Sequence, residues 1–323
     1  MEEKIKLTKK DWAVLFELEK NARQSIQSIA KKTELSKQLV SYMVKKYENN
    51  KIILAYTAVI DSSRLGYSTY RVYLKLNNMN LEKDIDNFFN FLADLPETTI
   101  VNKLDGNWDA GFTISVKETY QFYEVWEKIM SYRKFIEEYK ISIYSPIYHF
   151  TRKVIAPEGD KINVETRTLG CKEKADYIEE DIKILKLLTK NVRQSIVELS
   201  SKLKKSVPFI VKRIRWMEKI GIIQGYRPLF NWNLIGYSYF KIDLHLNSHE
   251  RNNELFDYCK NHKNVIQVNQ AIGGSDFEFE IYVKNIEEFK KIINELKEKF
   301  HKEIINYEYF GVEKPYKETF MAF

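Results

Sequence analysis

The sequence predicts an α+β chain made of two copies of one two-part unit, a winged helix-turn-helix followed by a ferredoxin-like βαββαβ domain. Three observations predict it. Residues 11–77 align without a gap with residues 181–247 at an offset of 170, with 21 identities in 67 positions. Charge alternates along the chain: 1–56 carries +5, 57–150 carries −3, 172–228 carries +7 and 229–323 carries −3. The basic stretches have the apolar spacing of short helices, and the acidic ones have strand alternation. A repeat of this length is a duplicated domain pair and not a short solenoid unit.

The identities include Asn21, Arg23, Gln24, Ser25 and Ile26 against Asn191, Arg193, Gln194, Ser195 and Ile196. Beyond the first alignment the offset becomes 167, and GNWDAGFTISVK (106–117) matches GGSDFEFEIYVK (273–284). The expected boundaries are 1–60 and 179–230 for the helix-turn-helix domains, 61–150 and 231–323 for the βαββαβ domains, and 151–178 for a linker.

In the first basic stretch a helix is expected from about Thr8 to Lys20, with Trp12, Leu15, Phe16 and Leu18 on its apolar face. A short second helix follows Ser25. A third begins at Ser36, a good N-cap, and turns Leu39, Val40, Met43, Val44 and Tyr47 inward. Lys37, Gln38, Ser41, Tyr42 and Lys45 then share the opposite face. The strand-like run KIILAYTAVI completes the plan, in which the last helix enters the DNA major groove. The exposed face offers cations for phosphates and amide or hydroxyl groups for base edges.

In the second copy the third helix follows Ser206. Val207, Pro208, Val211, Lys212 and Arg215 face outward with Arg213 beside them, and proline is tolerated because first-turn amides lack an intrahelical partner. The double-stranded DNA contacts expected here are therefore Lys37, Gln38, Ser41, Tyr42, Lys45, Ser206, Pro208, Lys212, Arg213 and Arg215. The first copy has Met43 where the second has Arg213, and Lys51 where it has Gly221. Because arginine grips guanine or phosphate with two parallel hydrogen bonds, this contrast predicts that the second copy carries most of the sequence reading.

In the acidic stretches Tyr70, Val72, Leu74 and Leu76 alternate with Thr69, Arg71, Tyr73 and Lys75. Likewise Phe240, Ile242, Leu244 and Leu246 alternate with Tyr239, Lys241, Asp243 and His245. One face is strongly apolar; the other mixes aromatics and charges, which suits packing against a second sheet. In the first copy a helix around Ile85, Phe88, Phe89 and Leu92 comes next. Strands follow near 98–104 and 109–116, then a helix near 118–132 and a last strand near 139–149, the order of a ferredoxin-like half.

With both halves in hand, the sequence resembles the Lrp/AsnC family of feast/famine transcriptional regulators over nearly its whole length, twice. The run SVPFIVKRIRWMEKIGIIQGY (206–226) carries the likeness most clearly. The resemblance implies a sequence-specific DNA-binding regulator, homo-oligomeric and cytoplasmic, whose βαββαβ domains are effector domains responsive to a small molecule such as an amino acid. It places the effector site near the loop between the second and third strands, here Gly106 and Asp109 in one copy and Gly273, Gly274 and Asp276 in the other. Glycine and aspartate are also ordinary turn residues, so a plain hairpin is the competing reading.

No catalytic constellation, cofactor motif or metal site is expected. Cys171 and Cys259 form no CxxC pair, and Cys259 reads as core packing. His149, His245, His249, His262 and His301 are scattered over surface and strand positions. No apolar stretch is long enough to cross a bilayer, and MEEKIKLTKKDW lacks the apolar core of a signal peptide. The alternatives are an enzyme of the same fold, like the siroheme decarboxylases, and a metabolite sensor that has lost DNA binding.

Overall fold

The computed structural model describes residues 4–77, 82–157, 159, 162–170 and 173–322. Cys171 lies outside them. In chain order the elements are α1 (Lys9–Lys20), α2 (Ile26–Thr33), α3 (Lys37–Asn49), β1 (Ile53–Ile60), β2 (Ser68–Leu76), α4 (Glu82–Asp94), β3 (Thr98–Gly106), β4 (Ala110–Val116), α5 (Thr119–Met130), β5 (Ile136–Phe150) and β6 (Thr166–Leu169). The second copy supplies α6 (Glu179–Lys190), α7 (Ile196–Leu203), α8 (Val207–Ile220), β7 (Ile223–Phe230), β8 (Ser238–Leu246), α9 (Asn252–Asn261), β9 (Val265–Ile272), β10 (Phe277–Val283), α10 (Ile286–Lys299) and β11 (Ile304–Glu318). They form two compact units, one from the described residues of 1–61, 151–166 and 175–237, the other from those of 62–150, 167–174 and 238–323. Residues 231–237 thus group with the helical unit and not with the sheet domain expected to begin at 231.

In the helical unit each copy folds three helices around its own core. Side-chain oxygens of Ser25, Ser36, Ser195 and Ser206 accept from backbone amides in the first turn of α2, α3, α7 and α8, using groups that would otherwise lack partners. Val14, Leu15, Leu18, Ile29, Val40 and Val44 are buried in one copy, and Ile184, Leu185, Leu188, Leu199, Ile210 and Ile214 in the other.

The strand after each third helix pairs with its counterpart from the other copy. β1 runs antiparallel to β7, with Thr57 opposite Arg227 and Tyr56 opposite Pro228. The contacts around this ribbon come in exchanged pairs. The Ala22 amide donates to the Tyr226 carbonyl and the Val192 amide to that of Tyr56; Asp61 donates to Ile222 and Asn231 to Ile52. Arg23 lies over the Tyr226 ring and Arg193 over that of Tyr56, each at 5.2 Å. The two heads are therefore joined about a pseudo-two-fold axis.

Of the stretch 151–178 expected as linker, the described residues of 151–166 belong to this unit. Arg152, Lys153, Val154 and Ile155 are buried. The Arg152 guanidinium lies 3.3 Å from the Glu19 carboxylate and over the Trp232 ring, while Arg227 approaches Glu19 from another side at 3.7 Å.

In the other unit the strands run β2-β4-β3-β11-β8-β10-β9-β5, and β2 also pairs with β5, so eight strands close into a barrel with β6 beside β5. Each copy supplies four consecutive strands of the ring, and the halves join edge to edge at β3–β11 and β5–β9. Closure removes the unpaired edges that an open sheet would expose. On the outer face of the first half Val72, Leu74, Phe88, Phe89, Leu92, Phe112, Val125 and Ile129 form one core.

Candidate nucleic-acid interface

The interface expected from the sequence rests on α3 and α8. On α3 Lys37, Gln38, Tyr42 and Lys45 are exposed and Ser41 is half-buried; Tyr42 is 64% exposed. On α8 Ser206, Pro208, Lys212 and Arg215 are exposed. Nine of the ten expected contacts thus stand at or near the surface, and one of these nine, Ser206, also caps α8.

Arg213 is the exception and corrects the sequence reading. Its Nε donates to Asp181 Oδ1 at 2.7 Å, its second nitrogen donates to Oδ2, and its guanidinium lies 4.1 Å over the Trp216 ring. Asp181 is fully buried. Arg213 therefore ties α8 to the start of α6. In the first copy the equivalent aspartate, Asp11, accepts instead from the Tyr47 hydroxyl at 2.9 Å, one turn further along α3, so Met43 is free to enter the core. The Met43/Arg213 contrast reports how each aspartate is satisfied.

The hairpin residues have structural tasks of their own. In the first copy Asp109 accepts from the Leu76 amide at 2.7 Å and lies 3.3 Å from Lys75 Nζ. In the second, Asp276 accepts from the Leu246 amide at 2.8 Å. Each carboxylate clamps the end of the neighbouring strand. Gly106 has φ +133°, and a Cβ there would stand 2.8 Å from the Tyr309 carbonyl oxygen. Gly273 has φ +75°, and a Cβ on Gly274 would strike the Glu278 carboxylate. The loops differ in cargo: Trp108 stacks on Tyr73 at 5.8 Å in one, whereas the Ser275 amide donates to Glu278 at 2.9 Å in the other.

Glu278 belongs to a cluster inside the barrel that sequence reading passed over. Arg71 donates to Glu278 Oε1 at 2.7 Å, to Ser142 at 2.9 Å and to Tyr144 at 3.2 Å. Lys241 lies 3.0 Å from Glu278 and pairs with Asp243. Glu280 accepts from Asn269 at 2.8 Å and Gln267 at 3.1 Å. Burial opposes the charge on Glu278, but Lys241 and Arg71 outweigh it and hold this carboxyl well below the usual range. Burial pushes Glu280 up despite Asn269. The arithmetic of charge explains the split: two cations are balanced by Asp243 and Glu278, which leaves Glu280 in surplus.

The winged helix-turn-helix DNA-binding family model matches twice, at residues 7–53 and 181–224. The leucine-responsive regulatory protein of Rhizobium meliloti is 29% identical over 118 residues, 36% of this chain and 76% of that protein. The HTH-type transcriptional regulator LrpB of Bacillus subtilis is 30% identical over 106 residues, 33% of this chain and 68% of that protein. The chain belongs to the Lrp/AsnC family. It is a tandem member, since each relative aligns with about a third of its length and the helix-turn-helix match occurs in both copies. Among solved structures, the siroheme decarboxylase NirDL superposes with a TM-score of 0.65 at 13% identity, covering 97% of this chain and 94% of that one. At that identity the likeness is one of fold.

Proposed function

We propose that this Lrp/AsnC protein is a sequence-specific DNA-binding transcriptional regulator that presents α3 and α8 to the major groove of one duplex. The observation that carries the reading is the pair of recognition helices with exposed polar and basic faces, joined by the β1–β7 ribbon in a unit rich in positive charge. Lys37, Lys45, Lys212 and Arg215 serve as phosphate and groove cations. Gln38, Ser41 and Tyr42 supply hydrogen-bonding groups for base edges. The test is titration of the purified protein against genomic and random duplexes at two salt concentrations. Affinity falls steeply with salt if several phosphates are neutralised; no salt-dependent binding to any duplex would sink the reading.

The barrel is the sensing half in this proposal. Gly106, Asp109, Gly273, Gly274 and Asp276 line the hairpins where a small effector such as an amino acid would act, and what supports this is their matched place in the two copies. A ligand at a hundred times its Kd adds about 2.7 kcal/mol of apparent stability, so a thermal-shift screen of amino acids checks it. The protein acts, on this reading, in the cytoplasm and as an assembly of at least two chains, which light scattering tests. Among the described residues no helix is long and apolar enough to cross a membrane.

A second reading, a tetrapyrrole-handling enzyme, is favoured by the whole-length fold likeness to NirDL. It predicts a perturbed porphyrin absorption band on mixing with an iron porphyrin. The regulator reading predicts none.

A further inference from the structure

The two heads stand in pseudo-equivalent places, yet their recognition surfaces are chemically unlike. At an offset of 170, Lys37 corresponds to Val207, Gln38 to Pro208, Ser41 to Val211, Tyr42 to Lys212 and Lys45 to Arg215. The N-terminal residues of a recognition helix are the ones that meet base edges. In α3 those positions hold an amide, two hydroxyls and a cation. In α8 they hold Val207, which is 39% exposed, then Pro208, exposed, and Val211, half-buried. No side-chain hydrogen-bonding group follows the Ser206 cap on that face until Lys212. Ser206 itself is engaged with the Phe209 amide, and Arg213 with Asp181.

We infer, resting on the regulator reading, that the DNA target is an asymmetric two-part site read by different chemistry in each half. The α3 head reads one half by hydrogen bonds. Gln38 has the amide geometry to pair with adenine N6 and N7, and Ser41 and Tyr42 add single bonds. The α8 head presents an apolar tip that fits thymine C5-methyl groups, with Lys212 and Arg215 anchoring phosphates. This reverses the ranking expected from sequence, in which Arg213 made the second copy the principal reader. The ribbon holds the heads by paired backbone bonds, so the spacing between half-sites is set by the fold and does not adjust to the DNA.

The experiment is selection of bound duplexes from a random pool by the full chain, followed by titration of the selected site. The selected sequence is expected to be non-palindromic, its halves not inverted copies of one another: one half needs adenine N6 and N7, the other needs thymine methyl groups, and the two lie about one helical turn or a multiple apart. Gln38→Ala is expected to reduce adenine discrimination by about ten-fold or more in the first half only. Replacing thymine by uracil, which lacks the methyl group, is expected to weaken binding severalfold in the second half and to change little in the first. Adding five base pairs between the halves, which turns one to the opposite face, is expected to abolish joint binding. A palindromic selected site, or uracil tolerated equally in both halves, would overturn the inference and leave the regulator reading standing. Absence of salt-dependent binding to any duplex overturns both.

Discussion

Arg213 shows how an exposed-looking cation is recruited inward by one buried acid. Removing it leaves the buried Asp181 carboxylate without a counter-ion, holding only the Ile178 amide, which costs about 3 kcal/mol. Arg213→Ala is therefore expected to lower the denaturation midpoint while leaving the base preference of the folded protein intact; a changed preference with unchanged stability would refute the tie. The barrel acids divide in the opposite sense. Glu278→Gln takes the paired carboxylate from Arg71 and leaves Lys241 with Asp243 alone, and is expected to destabilise by about 3 kcal/mol. Glu280→Gln removes a surplus buried carboxylate whose charge burial disfavours and is expected to stabilise at neutral pH. The pH dependence follows the same signs. The depressed carboxyl of Glu278 contributes stability above the unfolded value near pH 4, and this is lost as pH falls through its lower folded value. The raised carboxyl of Glu280 costs stability as pH climbs above about 4 toward its folded value. Urea titrations of both variants between pH 3 and 8 separate the two.

Among elements, the helix ends and hairpins hold the sharpest differences between copies. Lys51 and Gly221 occupy the same place after the third helix, with φ +58° and +81°. A side chain in this left-handed region costs about 1 kcal/mol that glycine avoids, so Lys51→Gly is expected to raise stability by about that amount, read by thermal unfolding. Gly106→Ala is expected to cost about 1–3 kcal/mol, from the left-handed φ and the clash with the Tyr309 carbonyl. Helices and strands were legible in the sequence to within a few residues because each has its own period. The destination of the strands was less so. The β1 run reads as a strand, but its partner lies 170 positions away in the other copy. Alternation in TYRVYLKL, YFKIDLHL and FEFEIYV marks a second face of charges and aromatics. That face is also buried, yet Arg71 meets Glu278 across 207 positions, a register that no local pattern encodes. The loop aspartates were legible as hairpin residues; their bonds to Leu76 and Leu246 depend on the neighbouring strand.

At the scale of the whole chain, duplication turns an interface that separate subunits would share into an internal one. Both edges of each four-stranded half are covered by the other half of the same molecule, at β3–β11 and β5–β9, and the helix-turn-helix strands pair likewise. Two physical consequences follow. Mutations are no longer copied into both halves, so the inner faces have diverged: Gly111 and Thr113 stand where Glu278 and Glu280 stand, and a paired charge cluster replaces a symmetric interior. Closure also becomes unimolecular, so it does not depend on encounter between chains. The barrel's unfolding midpoint in guanidinium, followed by tyrosine and tryptophan fluorescence, is therefore expected to stay constant over a hundred-fold dilution. A barrel closed by strands exchanged between two chains would instead lose roughly 2.7 kcal/mol of apparent stability over that range, and a midpoint that falls accordingly would show that closure of the barrel is coupled to association between chains.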